Sequence, residues 1–504
     1  MAPDVMSTFD PASLRILERL DELQSQLMQS IETNTRPTLQ PSVDVISRAP
    51  QHQHHLFPGN LDAILDWDVV KQYWDVLKDQ STASHTTSQT MMLATSTLNV
   101  DLDPSTCDGL LDNFFSFVHI KNPILSENQT RRLVKRVFSE GIGWDEESCL
   151  ALIICANGAI ARSFFAESMS AARMRQSQAP ALYQAAQKRL GIVMASHGLI
   201  AAQCLFLFGV YKMCLLQPHD AWRMFLQALA ACQQFKFLAG ETDAATPRAS
   251  AHAEECIYWS CWKSERELRW VLSLPDFGEL ANDHPKSFPS LPETLNEGEQ
   301  LTGWYFYLSE ISLWRLSTRA RRDMEIFHSK SNNPSLESLV DLSHELEEKG
   351  AEWSQSLAPD VNLDLFDNKN ESEVLRFILR GHVTSYYEAI WWPFVYAVVN
   401  QGNASPLVVS CAAKGLAVHL ECLNINRTGF RYRHHGTWLL LQSCLRSALV
   451  LLAASRSETA AVLLPAGWET LVRDTIDMLR YWRSENVGAS DSIIVLLESL
   501  YHGT

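Results

Sequence analysis

Apolar residues in the stretch 253–292 follow the spacing of one face of a helix. The series is Ile257, Cys261, Ser264, Leu268 and Val271, with steps of three or four residues, and Ser264 is its one polar member. Pro275 disfavours helical backbone in the residues before it, so the helix is predicted to stop near Leu274. Charged residues lie between the apolar ones, which indicates a helix that is half buried.

The charged residues of this stretch have helical partners of their own. Glu265 and Arg269 form an i,i+4 pair in the favourable acid-first order, and Arg266 is predicted to lie over Trp270. Prolines at 285, 289 and 292 predict an extended loop after the helix. We expect the Arg and Glu side chains to hold the helix against this loop and to have no catalytic role.

The helical period continues through most of the chain after residue 105. Short turns separate its segments, which predicts an all-α fold: one large domain of antiparallel helix hairpins over 105–504. Pro393 is predicted to kink the segment that contains it. The predicted helices are 110–123, 131–140, a segment capped by Asp145, 180–196, 199–216, 220–238, 303–323, 336–356, 375–399, 406–424, 434–454, 468–485 and 490–501.

The N-terminal fifth has a different pattern. Residues 10–32 predict a helix whose apolar seam is typical of a short coiled coil, a dimerisation candidate formed by Ile16, Leu20, Leu23, Leu27 and Ile31. A helix docked on its own domain is the alternative. Residues 33–104 are rich in Ser, Thr, Pro and His and predict a linker, within which 60–77 forms an amphipathic docking helix. His52, His54 and His55 fit a polar linker better than a metal site.

Composition narrows the class of protein. Apolar residues make up 46% of 504 residues, enough for a large core. The net charge of −16, from 42 basic and 58 acidic residues, argues against a large nucleic-acid surface. Eleven scattered cysteines without a C-x-x-C pair predict buried free thiols in a reducing compartment.

No membrane association or secretion is expected from the sequence. The N-terminus lacks the order of a signal peptide, and the apolar runs 199–216 and 438–454 are short and interrupted by polar residues. One basic cluster is present, formed by Arg315, Arg319, Arg321 and Arg322. A solvated helix end accounts for this cluster better than a nuclear-import signal does.

No catalytic set is recognisable. Phosphate-binding Gly-rich loops, nucleophile elbows and zinc-protease motifs are absent from the sequence, so we predict no enzyme activity and no catalytic, metal-binding or DNA-binding residue in this chain. Trp391 and Trp392 are candidates for an apolar ligand pocket, with a core position as the alternative. His434 and His435 have no carboxylate or cysteine at ligand spacing, which favours a structural role at a helix start.

Several segments resemble one protein family, the fungal zinc binuclear-cluster transcription factors, in their middle regulatory domain. The resemblance is carried by YWSCWKSERELRWVLSLPDFG with the following HPKSFPSLP, by AQCLFLFGVYKMCLLQPHDAWRMFLQA, by GWYFYLSEISLWRLSTRARRD and by RYRHHGTWLLLQSCLRSALVLLAA. The position of ILERLDELQSQL resembles the family's dimerising coiled coil. The resemblance extends over most of 105–455 through separated motifs that follow one another in the family's order.

The resemblance implies a nuclear transcription regulator that acts as a homodimer or heterodimer, controls a metabolic or secondary-metabolite gene cluster and responds to a small-molecule effector. One departure stands out, because the family's DNA-binding module needs six closely spaced cysteines and the first cysteine here is Cys107. We therefore expect DNA contact only indirectly or through a missing module, and zinc as a cofactor only with such a module.

Two alternatives to this role stay open at the level of sequence. The chain is then either a partner without DNA-binding activity that modulates a complete zinc-cluster factor, or a helical small-molecule-binding protein or enzyme that reuses the domain. The first depends on the coiled-coil seam and the second on the tryptophan pair.

Overall fold

The fold is all-α, as predicted from the helical period. The computed structural model describes residues 55–59, 61–81, 104–162, 169–239, 248–275, 288–290, 299–330, 335–364, 372–402, 404–483 and 489–503. Over these ranges the regular structure consists of helices, and no β-strand is present. The predicted coiled coil at 10–32 and most of the predicted linker lie outside the described residues.

Ten α-helices make up the N-terminal part of the described chain. They are α1 Asp62–Leu65, α2 Asp68–Ser81, α3 Pro104–Phe117, α4 Glu127–Glu140, α5 Glu146–Ile160, α6 Met169–Gln187, α7 Leu190–Ala195, α8 Leu199–Cys214, α9 Pro218–Cys232 and α10 Arg248–Val271.

Eight more α-helices follow in the described C-terminal part, together with four short 3₁₀ turns along the chain. The helices are α11 Glu299–Lys330, α12 Leu336–Gln355, α13 Ser372–Asn400, α14 Pro406–Asn426, α15 Thr437–Ser455, α16 Glu458–Ala461, α17 Trp468–Leu479 and α18 Ala489–His502. The 3₁₀ turns are His119–Lys121, Lys236–Ala239, Pro359–Val361 and Arg480–Trp482.

Consecutive helices joined by short turns pack on one another. The most extensive contacts are between α13 and α14, α8 and α9, and α5 and α6. Residues 215–217 join α8 to α9, and residues 401–405 join α13 to α14. Because so short a turn returns the chain alongside the helix it leaves, the helices of these two pairs run antiparallel, in agreement with the predicted hairpins. Contacts of α10 with α11 and of α8 with α15 join the first set of hairpins to the second.

The docking helix predicted at 60–77 is two helices, α1 and α2, divided at Trp67. Trp67 is buried and its ring centroid lies 5.6 Å from that of Trp392 in α13. The hydroxyl of Tyr73 accepts a hydrogen bond from Arg456 at 2.7 Å. This segment packs on the main domain as two helices and not as the single helix predicted, and Trp67 inserts into the core where the two helices divide.

Two other predicted helices differ in the structure. The segment 110–123 leaves the α-helix at Phe117, because the His119 ring accepts a hydrogen bond from the backbone N–H of Leu125 at 3.0 Å and turns the chain. The segment 180–196 is part of two helices, α6 and α7. Their break lies at Arg189, whose guanidinium binds the carbonyl of Gly143 at 2.5 Å.

Helix α10 is buried on nearly all sides, so the prediction of a half-buried helix is wrong. The side chains of Lys263, Glu265, Arg266 and Arg269 are each at most 4% exposed. Each charge has its partner inside the protein: Glu265 lies 3.2 Å from Arg269, as predicted, and also accepts a hydrogen bond from the indole of Trp222 at 3.0 Å. Distant helices therefore supply the polar contacts that make this burial tolerable.

The loop after α10 is held by Glu255, one of the glutamates of the stretch 253–292. Glu255 accepts hydrogen bonds from the backbone and hydroxyl of Ser290, both at 2.7 Å. The ring of Phe288 stacks on Trp259, with centroids 6.2 Å apart. The predicted contact of helix and loop is thus present, but it uses the N-terminal half of α10. The basic residues farther along, such as Arg266, face other helices.

The arginine cluster of α11 is not a solvated helix end. Only Arg322 is exposed, while Arg315 lies over the Phe288 ring at 4.8 Å and Arg321 lies over two rings. From the sequence, these arginines were predicted to lie on a solvated helix end. In the fold, aromatic side chains from other segments cover most of them.

All eleven cysteines are buried and free, which confirms the prediction of buried thiols. By length and composition alone, the helices Pro406–Asn426 and Thr437–Ser455 would be able to cross a membrane. The second of these is 83% buried among other helices, and the first packs against α12, α13, α15 and α17. Both are therefore interpreted as core helices.

Candidate functional site

A cavity lies between α10, α11, α13 and α15, beneath the short segment that precedes α1. It offers about 140 Å³ to the centres of water-sized molecules, whereas a single water needs about 10–15 Å³. Trp270, Trp314 and Phe377 supply aromatic walls, and Pro58 covers one side. An aromatic cavity with a few polar groups is the usual form of a small-molecule site.

One polar wall of the cavity is a buried ion pair between α13 and α15. Arg446 donates from Nε and Nη2 to the two carboxylate oxygens of Glu388, at 2.5 and 2.7 Å. Burial would raise the pKa of Glu388, but the charge and hydrogen bonds of Arg446 outweigh it and hold that pKa below its usual range. Burial lowers the pKa of the neighbouring His419 to about 4, so this histidine is neutral.

A second arginine, Arg321 of α11, lines the same wall. Its guanidinium carbon lies 4.3 Å from the ring centroid of Trp270 and 4.6 Å from that of Phe57. Burial lowers the pKa of Arg321 to about 10, and the charges of Glu325 and Glu388 act in the opposite direction. The side chain therefore remains a cation at neutral pH.

The opposite wall has a chain of charged groups from three helices. His382 Nε2 lies 3.3 Å from a carboxylate oxygen of Glu267, and Nδ1 lies 3.4 Å from Glu310 without the alignment of a hydrogen bond. Glu310 also forms a buried ion pair with Lys263. Burial lowers the pKa of His382, but the hydrogen bond and charge of Glu267 outweigh it, so this pKa lies above its usual value.

Behind this chain lies a buried lysine, Lys121. Its ammonium donates to the hydroxyl of Tyr432 at 3.0 Å, and the ring of Tyr432 stacks on His434 with centroids 4.4 Å apart. Burial lowers the pKa of Lys121 to about 7. Burial also keeps the pKa of His434 well below its usual value, so this residue of the cavity wall is neutral.

The burial of Lys121 gives a prediction for pH dependence. Between pH 7 and about 10 the unfolded chain retains a proton that the folded chain has lost, so stability rises with pH across this window. Lys121→Met removes the titrating ammonium group and with it this rise of stability with pH. We expect the variant to gain stability relative to the wild type at pH 6 and this advantage to shrink steadily from pH 7 to about pH 10, measured by urea unfolding at each pH.

The control for this prediction is Lys135→Met, at an exposed position of α4. Its stability difference from the wild type should not change with pH. A difference for Lys121→Met that is equally constant from pH 6 to pH 9 would contradict a lowered pKa at Lys121.

The residues named from sequence as site candidates are placed as follows. Trp391 and Trp392 are each 1% exposed and belong to the core, and neither lines the cavity. Trp391 lies under the ammonium of Lys414 at 4.7 Å. His434 has the structural role favoured from sequence, because its Nδ1 accepts the backbone N–H of Gly436 at 3.1 Å, and His435 is half-buried beside it.

Other site candidates are outside the cavity or outside the described residues. The seam residues Ile16, Leu20, Leu23, Leu27 and Ile31 lie outside the described residues, as do His52 and His54. His55 lies 3.4 Å from His328, ring nitrogen to ring nitrogen. Within the part of the chain that the structure describes, no three His, Cys, Asp or Glu side chains are grouped as metal ligands.

Sequence reasoning missed the residues that matter most for the cavity. Arg321, Glu388 and Arg446 are far apart in the chain, and the first was assigned to a solvated cluster. One signal was present: Glu388 and Arg446 interrupt long apolar helices, where a charge is costly unless it is paired.

None of the known family models matches the chain, and no curated protein is significantly similar to it. The resemblance to fungal transcription factors therefore depends on the quoted motifs alone.

Proposed function

We propose that this chain is the regulatory part of a fungal transcription regulator of the zinc-cluster class, and that its cavity binds a small-molecule effector. The observation that carries the proposal is the position of the cavity. Its walls come from α10, α11 and α15, and these helices contain three of the segments that resemble the family.

The chemistry of the walls favours binding over catalysis. Glu388 and Arg446 neutralise each other, and the carboxylate of Glu267 is occupied by His382. A general base or nucleophile needs a free group poised beside the substrate, which these paired residues do not offer. The aromatic rings instead provide a surface that excludes water from an apolar ligand.

The position of Phe57 and Pro58 adds a route for regulation. Pro58 lines the cavity, and the ring of Phe57 lies against Arg321 of its wall; both residues precede α1 and α2, which pack on α15 and α18. The predicted coiled coil precedes this segment in the chain. An effector that changes the contact of Phe57 would thus alter how the N-terminal part is held against the domain.

The remaining parts of the proposal come from the resemblance. They are dimerisation through the seam at 10–32, a nuclear location, control of a metabolic or secondary-metabolite gene cluster, and DNA contact through a partner or a missing module. A partner that modulates a complete zinc-cluster factor would use the same cavity and the same seam.

Filling the cavity tests the effector pocket. Gly381 of α13 lines the cavity, and a Cβ built there meets no atom within 4 Å. Gly381→Phe should occupy the space and abolish binding of a small aromatic probe, 4-phenyl-1-butanol. We expect the wild type to bind the probe at millimolar concentration, as its size allows, and the variant to lose at least tenfold in affinity by titration calorimetry.

Gly191→Phe is the matched control, because Gly191 also has no atom within 4 Å of a built Cβ but lies exposed on α7, away from the cavity. It should bind the probe like the wild type. Equal binding by Gly381→Phe and the wild type, or no binding by the wild type, would speak against an effector pocket here.

A further inference from the structure

Two arginines, Arg321 and Arg446, lie in the cavity wall near one carboxylate, that of Glu388. Both oxygens of Glu388 accept hydrogen bonds from Arg446, at 2.5 and 2.7 Å. Glu388 therefore has its charge and its best acceptor positions committed to Arg446. The group of Arg321, Arg446 and Glu388 has one positive charge in excess.

Arg321 holds that excess charge. Its contacts within the described part of the chain are with the rings of Trp270 and Phe57, and none is a hydrogen bond or an ion pair. Glu325, one helical turn later, is exposed and acts on Arg321 through its charge alone. A guanidinium has five N–H donors in its plane, and ring contacts leave these donors unused.

The other polar groups of the cavity do not compensate this charge. Glu267 faces His382 at 3.3 Å, and the neutral His434 is fixed by Gly436. Glu310 is shared between His382 and Lys263. Arg321 is half-buried, and a cation at such a position without an anionic hydrogen-bond partner is partly desolvated at a cost that an anionic ligand would relieve.

We propose that the cavity takes a monocarboxylate with an apolar, aromatic or aliphatic, body. The carboxylate accepts paired hydrogen bonds from Arg321, whose planar donors match its geometry. The body lies against Trp270 and Trp314. One excess positive charge suits a monoanion, whereas a phosphate dianion would add a second negative charge near Glu388 and Glu267. This inference rests on the proposed effector pocket and names its ligand class.

A pair of probes of equal size separates charge from shape. 4-Phenylbutyrate and 4-phenyl-1-butanol have the same aromatic body and differ in the carboxylate. We expect the wild type to bind the acid at least tenfold more tightly than the alcohol at pH 7.5. Arg321→Met should lose this preference by weakening the acid at least tenfold while leaving the alcohol within about twofold.

Arg322→Met is the control variant, because this neighbour on α11 is exposed and does not line the cavity. It should bind both probes like the wild type. If Arg321→Met does not fold, as judged by circular dichroism, Arg321→Lys replaces it. Lysine retains the charge without the planar pair of donors, so the preference should fall several-fold, and an unchanged preference would overturn the role of Arg321.

The two proposals fail in different ways. Equal affinity of the wild type for acid and alcohol, both abolished by Gly381→Phe, would overturn the carboxylate inference and leave the effector pocket intact. No binding of either probe to the wild type would overturn the effector pocket itself. A preference for the acid that Arg321→Met leaves unchanged would place the anion elsewhere and refute the inference.

Discussion

Glu388→Ala is expected to lower the free energy of unfolding by about 3–5 kcal/mol, because it leaves Arg446 buried without its partner. The two side chains are 5% and 7% exposed and are joined by two hydrogen bonds. When Glu388 is removed, Arg446 remains buried and charged, and the free-energy cost of its desolvation is no longer compensated. The loss is measured by urea unfolding followed through tryptophan fluorescence.

Burial is the variable that decides the size of this effect, and an exposed pair provides the comparison. Arg480 and Glu498 are 2.8 Å apart, but their side chains are 49% and 31% exposed. Glu498→Ala should therefore change stability by less than about 1 kcal/mol. Similar losses for Glu388→Ala and Glu498→Ala would show that the buried pair does not have the energetic role assigned to it.

A double variant distinguishes the cost of an orphaned charge from the value of the pair. Glu388→Leu with Arg446→Met replaces both charges by apolar side chains of similar length. Because the desolvation of a buried pair offsets much of its attraction, we expect most of the stability lost by Glu388→Ala to return. A double variant as unstable as Glu388→Ala would instead mean that the pair itself stabilises the fold.

Local signals in the sequence predicted helices well. Asp145 was expected to cap a helix, and its carboxylate accepts the backbone N–H of Ser148 at 2.7 Å. The helix at 336–356 is present as Leu336–Gln355, with Ser335 as its cap. Capping and periodicity depend on residues a few positions apart, so a single sequence contains the information they need.

Contacts between distant segments were not predictable in the same way. Arg266 was expected over Trp270 but lies over Trp262, with its guanidinium carbon 4.4 Å from the ring centroid. The position over Trp270 belongs to Arg321, from a different helix. The i,i+4 rule considers only side chains of one helix. It does not predict that a side chain from another helix will occupy the same position.

The cavity shows the same limit most clearly. Its wall runs from Pro58 to Arg446, and no local pattern brings these residues together. The sequence shows charged residues within apolar helices, and a charge buried at such a position is costly in free energy unless it is paired. It does not contain their pairing, which follows from how α11, α13 and α15 pack.

A close approach between two helices gives the second large effect. A Cβ built on Gly158 of α5 would lie 2.0 Å from the carbonyl oxygen of Leu110 in α3, so the backbones of the two helices meet at this glycine. A backbone cannot move aside as a flexible side chain can. Gly158→Ala must therefore separate α3 from α5, although alanine is the better helix former.

We expect Gly158→Ala to lose about 2–3 kcal/mol of unfolding free energy, since overpacking of a core costs about 1–3 kcal/mol or more and the preference of alanine for helices returns less than 1. Gly109→Ala, on the exposed side of α3 with no atom within 4 Å of the new methyl group, should gain about 0.5–1 kcal/mol. Urea unfolding of both variants measures whether the free energy of unfolding falls for Gly158→Ala and rises for Gly109→Ala. A gain in both would mean that α3 and α5 are farther apart than the backbone contact at Gly158 requires, because helix preference would then act at both positions without a clash to oppose it.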